Sequence, residues 1–114
     1  MKIHYLELVT HDVDGVCDTW SRLHGLTFGE PVPEFGGART AARPDGSLVG
    51  VRGPLRDDEQ PVVRPYVLVE DIDAAVQSAA DGGAEVAMPP MEIPGRGRFA
   101  ILIVGGNDLG LWQL

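Results

Sequence analysis

The octapeptide VEDIDAAV at residues 69–76 has an earlier counterpart, VTHDVDGV, at residues 9–16. Each follows a run of strand-forming residues and opens a stretch with helical spacing. Aligning Asp12 with Asp71 sets Val13 on Ile72, Asp14 on Asp73, Val16 on Ala75 and Cys17 on Val76. Each helical stretch then ends near glycine, Gly25 in one copy and Gly82 and Gly83 in the other. Self-similarity at about half the chain length points to a duplicated supersecondary unit.

Working outward, each copy reads on its own. KIHYLELV alternates, with Leu6 and Leu8 on one face and Tyr5 and Glu7 on the other, so it is a strand. Asp12 is a good N-cap, and Val13, Val16, Cys17, Trp20 and Leu23 form one helical stripe. A short strand is expected near residues 26–28. ARTAARPDGSLVGVRG, residues 38–53, gives two strands joined by a Pro-Asp-Gly turn. The second copy repeats the order. VVRPYVLV is a strand, and Asp71 caps a helix with Ile72, Ala75, Val76 and Ala79 facing inward. AEVAM is a strand, PPMEIPGRG a loop, and RFAILIV an apolar strand that GGND turns into LGLWQL. The expected architecture is α+β: one domain of two tandem βαβββ units, residues 1–53 and 62–114, joined by a charged, proline-containing linker at 54–61. One such unit cannot bury the open face of its sheet. Two side by side make a continuous curved mixed sheet with helices outside and a cup on the concave face, where pockets form.

A length of 114 residues suits one domain, and a hydrophobic content of 44% places it among soluble globular chains. No apolar run reaches membrane-spanning length, and the N-terminus reads as a strand and not as a signal peptide, so a cytoplasmic protein is expected. The net charge of −8 disfavours nucleic acid and anionic lipid as partners. Cys17 is the only cysteine, which excludes an internal disulfide or a cysteine-rich zinc site. Nucleophile elbows, phosphate-binding glycine loops and dinucleotide fingerprints are absent.

The stretches YLELVTHDVDGV, YVLVEDIDAAV, PPMEIPGRGRFAIL and GLWQL resemble the vicinal oxygen chelate superfamily, which includes glyoxalase I, bleomycin-resistance proteins and extradiol dioxygenases. The resemblance covers the whole chain and is greatest to a glyoxalase-like group often labelled hydroxylases. It implies the cup fold and a homodimer, for which an open sheet edge gives a physical motive. Metal-dependent members carry a His on each unit's first strand, seven residues before the capping Asp, and a Glu on each last strand. Here the His positions hold Tyr5 and Arg64, and the second Glu position holds Gly110. SLVGVRG, residues 47–53, contains no acid in any register. The expectation is therefore a protein without the catalytic metal and with no other cofactor.

Alternation directs Tyr5 and Glu7 into the cup, and the repeat places Arg64 and Tyr66 to match. Glu7 is the candidate general base. Its alternative is a structural ion pair with Arg64 across the pseudo-twofold. On the last strand Asp108 and Trp112 face the cup, Trp112 as a stacking wall or a core aromatic. Arg96 and Arg98 belong to a stretch that is either a rim or lid over the cup or a dimer contact, and could attract an anionic substrate. His4, His11 and His24 lack a metal-binding spacing, His24 sitting at a helix C-terminus. Cys17 reads as a small buried hydrophobe. The expected ligand-binding set is Tyr5, Arg64, Tyr66, Arg98, Asp108 and Trp112, with Glu7 catalytic, no metal ligands, and a small organic molecule as partner. Competing readings are a metal-dependent enzyme with displaced ligands and a non-catalytic scaffold whose cup is filled by its own side chains. The fold alone does not separate them.

Overall fold

The Asp12 carboxylate accepts a hydrogen bond from the Gly15 N–H at 3.1 Å, and Asp71 accepts one from Ala74 at 3.1 Å. Each satisfies an otherwise orphaned donor and so starts a helix, α1 (Val13–His24) and α2 (Ile72–Asp81). Gly25 ends α1 in the left-handed conformation, φ 66°, with its N–H donating to Ser21 O. Around α1 stand β1 (Ile3–Val9), β2 (Pro31–Val32), β3 (Ala38–Ala42) and β4 (Leu48–Arg52), with a 3₁₀ turn at Pro33–Phe35. Around α2 stand β5 (Val62–Leu68), β6 (Glu85–Ile93), β7 (Gly97–Val104) and β8 (Asn107–Gln113). The order βαβββ occurs twice, and the class is α+β.

The computed structural model describes all residues, Met1–Leu114, and its contacts divide into two compact units: Tyr5–Val63, and Arg64–Leu114 with Met1–His4. In the first unit β1 runs parallel to β4, which pairs antiparallel with β3, and β3 with β2. In the second, β5 runs parallel to β8, then β7 and β6 follow antiparallel. The registers match as well. Glu7 stands opposite Gly50, as Tyr66 stands opposite Gly110. No helix is long and apolar enough to cross a membrane.

Each helix buries its apolar stripe on the strands of its own unit. Under α1, Leu8, Cys17, Val49 and Val51 form the core, flanked by Val13, Val16 and Trp20. Under α2 the core is Ile72, Ala100, Leu102 and Leu111, flanked by Ala75, Val76 and Ala79. Ile72, fully buried, contributes about 1.5–3 kcal/mol. Burial pushes the Cys17 thiol up, against the pull of Arg39, in keeping with an inert packing role.

One ion pair is duplicated with the fold. Arg39 Nη1 donates to Asp14 at 3.0 Å, and Arg98 Nη1 and Nη2 donate to Asp73 at 2.9 and 3.1 Å. Both clip the first turn of a helix to a strand. The bond from Arg98 also lowers the Asp73 pKa.

The structure departs from the sequence expectations in four places. The second strand lies at Pro31–Val32; residues 26–28 pack irregularly on the core, with Gly29 and Phe28 carbonyls taken by Arg39. The stretch expected as a loop at 89–97 is mostly strand. Pro89 and Pro90 fall at the register shift between Met88 and Met91, and β6 is the edge of its sheet, where a missing N–H costs no ladder bond. Leu23 is 69% exposed, whereas Leu26, beyond the helix, packs on the core. The expected linker at 54–61 belongs with the first unit and carries a buried side chain, Glu59.

Candidate functional site

Strand alternation puts Leu6, Leu8, Val49 and Val51 under α1, so Tyr5, Glu7, Gly50 and Arg52 share the opposite, helix-free face of the first unit. There Arg52 organises a buried charge network. Its Nε donates to Glu7 Oε2 at 2.9 Å, and its Nη1 and Nη2 donate to the two oxygens of Glu59, each at 2.9 Å. Glu59 Oε1 also accepts the Leu55 N–H at 2.7 Å, and Arg52 Nη1 reaches the Gly53 carbonyl at 3.1 Å. Residues 53–59 are thereby tied onto the sheet. All three of these ionic residues are more than nine-tenths buried. The Arg52 hydrogen bonds hold the Glu59 carboxyl at about 2, against the opposing push of burial. Burial alone would pull the Arg52 guanidinium down; bonds from Glu59 and the field of Glu7 win and raise it.

Tyr5, 3% exposed, lies with its ring 5.2 Å from Phe35 and its hydroxyl over Gly50. A methyl group added at Gly50 would overlap that hydroxyl.

The second unit has a different inventory on the same face. Arg64 Nε and Nη2 donate to Asp108 Oδ2 at 3.0 and 2.8 Å. The Tyr66 ring stands edge-on to Trp112 at 5.7 Å and to Phe99 at 6.2 Å. Trp112 Nε1 donates to the Arg96 carbonyl at 2.9 Å, and the His4 ring lies 5.3 Å from the indole. The base of the Tyr66 ring occupies the space over Gly110.

Of the residues singled out from sequence, Arg64 and Asp108 meet each other, and Tyr66 meets Trp112. Glu7 and Arg64 each have an ion partner inside their own unit, Arg52 and Asp108 respectively. Arg98 stands apart from these. It shares a strand face with Ala100 and Leu102, the face that packs on α2, and its guanidinium is committed to Asp73. Its counterpart Arg39 does the same in the other unit, so the role belongs to the fold. Sequence reasoning missed Arg52, Glu59, Phe35 and Phe99. Arg52 had a signal: in LVGVR the alternation that buries Val49 and Val51 sends Gly50 and Arg52 to the face of Glu7. Glu59, in irregular chain, had none.

The matched registers also locate the positions where a divalent metal would be held. The four positions that carry ligands in metal-dependent members of the superfamily hold Tyr5, Gly50, Arg64 and Gly110 here. Both glycines are covered by tyrosine rings, and the arginine is a cation paired to Asp108. No three His, Cys, Asp or Glu side chains gather so as to hold an ion. These residues do not fit the metal.

No family model matches the sequence. A protein named "Putative glyoxylase CFP32", from Mycobacterium bovis and, at the same identity, from Mycobacterium tuberculosis, is 29% identical over 116 aligned positions. The match covers 96% of this chain and 44% of that protein, so the chain spans less than half the length of these relatives. Among solved structures, hypothetical protein BH1468 from Bacillus halodurans superposes with a TM-score of 0.75 at 13% identity, covering 99% of this chain and 94% of the other. Streptomyces coelicolor methylmalonyl-CoA epimerase, in complex with 2-nitronate-propionyl-CoA, gives 0.68 at 20% identity, covering 99% and 94%. The duplicated βαβββ units and these likenesses together give the chain the fold of the vicinal oxygen chelate superfamily, with a glyoxylase-named protein among its sequence relatives.

Proposed function

We propose that this chain binds a small organic molecule on the helix-free face of its sheets, through aromatic and charged side chains and without a catalytic metal. One observation carries the reading. The superfamily's ligand positions are filled by Tyr5, Arg64 and two glycines whose space tyrosine rings already take. Tyr66 and Trp112 supply aromatic rings and Arg64 a charge, but all three are buried, so a planar carboxylate reaches them only by displacing Asp108 from Arg64. The function is holding the ligand, as bleomycin-resistance proteins do. Glu7 is a positioned anion in this reading, its Oε2 taken by Arg52. The likeness to a CoA-ester-binding epimerase adds acyl-CoA thioesters to the ligand classes to be tried. A homodimer is part of the proposal, supported by the open β6 edge, where Met91 is 49% exposed.

The test has two arms. Dialysis against manganese, nickel, cobalt and zinc followed by elemental analysis is expected to leave far less than one ion per chain. Thermal shift against planar aromatics, small carboxylates and acyl-CoA thioesters is expected to give a hit that Arg64→Met abolishes while the circular dichroism spectrum is kept. Stoichiometric metal would establish the competing metal-dependent enzyme. A panel without a single hit would favour a scaffold.

A further inference from the structure

On the opposite side of the first unit, α1 and the turn between β3 and β4 leave a groove of about 490 Å³, lined by Leu6, Trp20, His24, Leu26, Arg43 and Val49, with Pro44 at its rim. That volume lies in the range of small-molecule sites. Its floor is apolar: Leu6, Trp20 and Leu26 are only partly buried although they pack on the core. Each of its polar side chains, Trp20, His24 and Arg43, carries at least one N–H donor. The Trp20 indole and His24 imidazole lie 5.1 Å apart, tilted at 57°, and neither is hydrogen-bonded within the protein. Arg43 spends one N–H on Ser47 Oγ at 3.3 Å and keeps the rest. No acid lines the groove, in a chain with 17 acidic against 9 basic residues. Asp45, in the same turn, is engaged by the Ser47 hydroxyl and N–H.

An apolar floor with unspent donors and no carboxylate matches one chemistry. We infer that this groove is a second binding site, for a planar aromatic monocarboxylate: the ring lies on Trp20 and Leu26, and the carboxylate meets Arg43 and His24. It is separate from the helix-free face and does not depend on the function proposed for it.

The chain has two tryptophans, so the indole N–H region of a nitrogen–proton correlation spectrum reports both sites separately. The full chain is titrated to millimolar with naphthalene-2-carboxylate and, in parallel, with the uncharged 2-naphthalenemethanol. The Trp20 signal, assigned by its loss in Trp20→Phe, is expected to shift with the acid, and the alcohol to bind about tenfold more weakly. Arg43→Met, at an exposed turn, should cost a similar factor. Should Trp20→Phe fail to fold, Trp112 is identified by its slower exchange and Arg43→Met carries the test. A Trp20 signal that stays still, equal affinity for the alcohol, or undiminished binding by Arg43→Met overturns the inference. Movement of Trp112 alone also overturns it, while supporting a ligand on the helix-free face.

Discussion

At matching places on the first and last strands, the first unit carries Tyr5, Glu7 and Arg52, and the second carries Arg64, Tyr66 and Trp112. The backbone around them is the same. Thr10 N–H donates to Arg52 O at 3.0 Å, and Val69 N–H donates to Trp112 O at 2.8 Å, so Arg52 and Trp112 hold equivalent positions. One became the centre of a buried ion network and the other the centre of an aromatic cluster. Duplication preserved what the fold needs: the capping aspartates, the Arg–Asp clip of each helix, the parallel strand pair and the glycine opposite Glu7 or Tyr66. It left the buried residues of the helix-free face free to diverge. A shared scaffold therefore says little about the chemistry of either face, and each unit has to be read from its own side chains.

The comparison breaks most readily at Arg52. Arg52→Met leaves Glu7 and Glu59 buried without their cation, and should cost about 3–5 kcal/mol in urea unfolding. Trp112→Phe at the equivalent place loses one hydrogen bond and part of a ring, and should cost less. If Arg52→Met is the milder change, the network does not hold the first unit together.

Acid offers the next test, because only the first unit has a carboxyl depressed to about 2. The sign follows from linkage. Glu59 is deprotonated more readily folded than unfolded, so its stabilisation is present above its ordinary value near 4.5 and is lost as pH falls from there towards 2. About 3 kcal/mol is at stake over that window. Unfolding free energy measured across it should fall steeply in the parent and less steeply in Glu59→Gln; parallel curves would remove Glu59 from the account.

The glycines sharpen the comparison further. Gly110→Ala meets the base of the Tyr66 ring, which cannot move without its backbone, whereas Gly50→Ala meets the outer end of Tyr5. Overpacking of this kind costs about 1–3 kcal/mol, with Gly110→Ala expected at the upper end. In a double-mutant cycle Tyr66→Ala should recover part of the Gly110→Ala loss. Strict additivity would mean that the ring does not own that space.

The repeat, both helices and their caps, and the inner residues of each stripe are legible in the sequence, since all of them follow from local spacing. Arg64 with Asp108 and Tyr66 with Trp112 were within reach through strand alternation. Arg98 opens the RFAILIV strand and pairs with Asp73 as Arg39 pairs with Asp14, a parallel that only a comparison of the two units brings out. Leu23 shows the limit of a helical period, which does not know where the sheet beneath it stops.

By itself the sequence determined a twice-used βαβββ plan and the absence of the expected ligand types, because strand and helix periods and residue identities are local properties. Only the tertiary structure decided which acid meets which base. Glu59 reaches Arg52 from irregular chain, and Tyr5 and Tyr66 cover glycines on neighbouring strands. Such pairings depend on strand register and chain return, which bring together residues that no spacing along the chain relates.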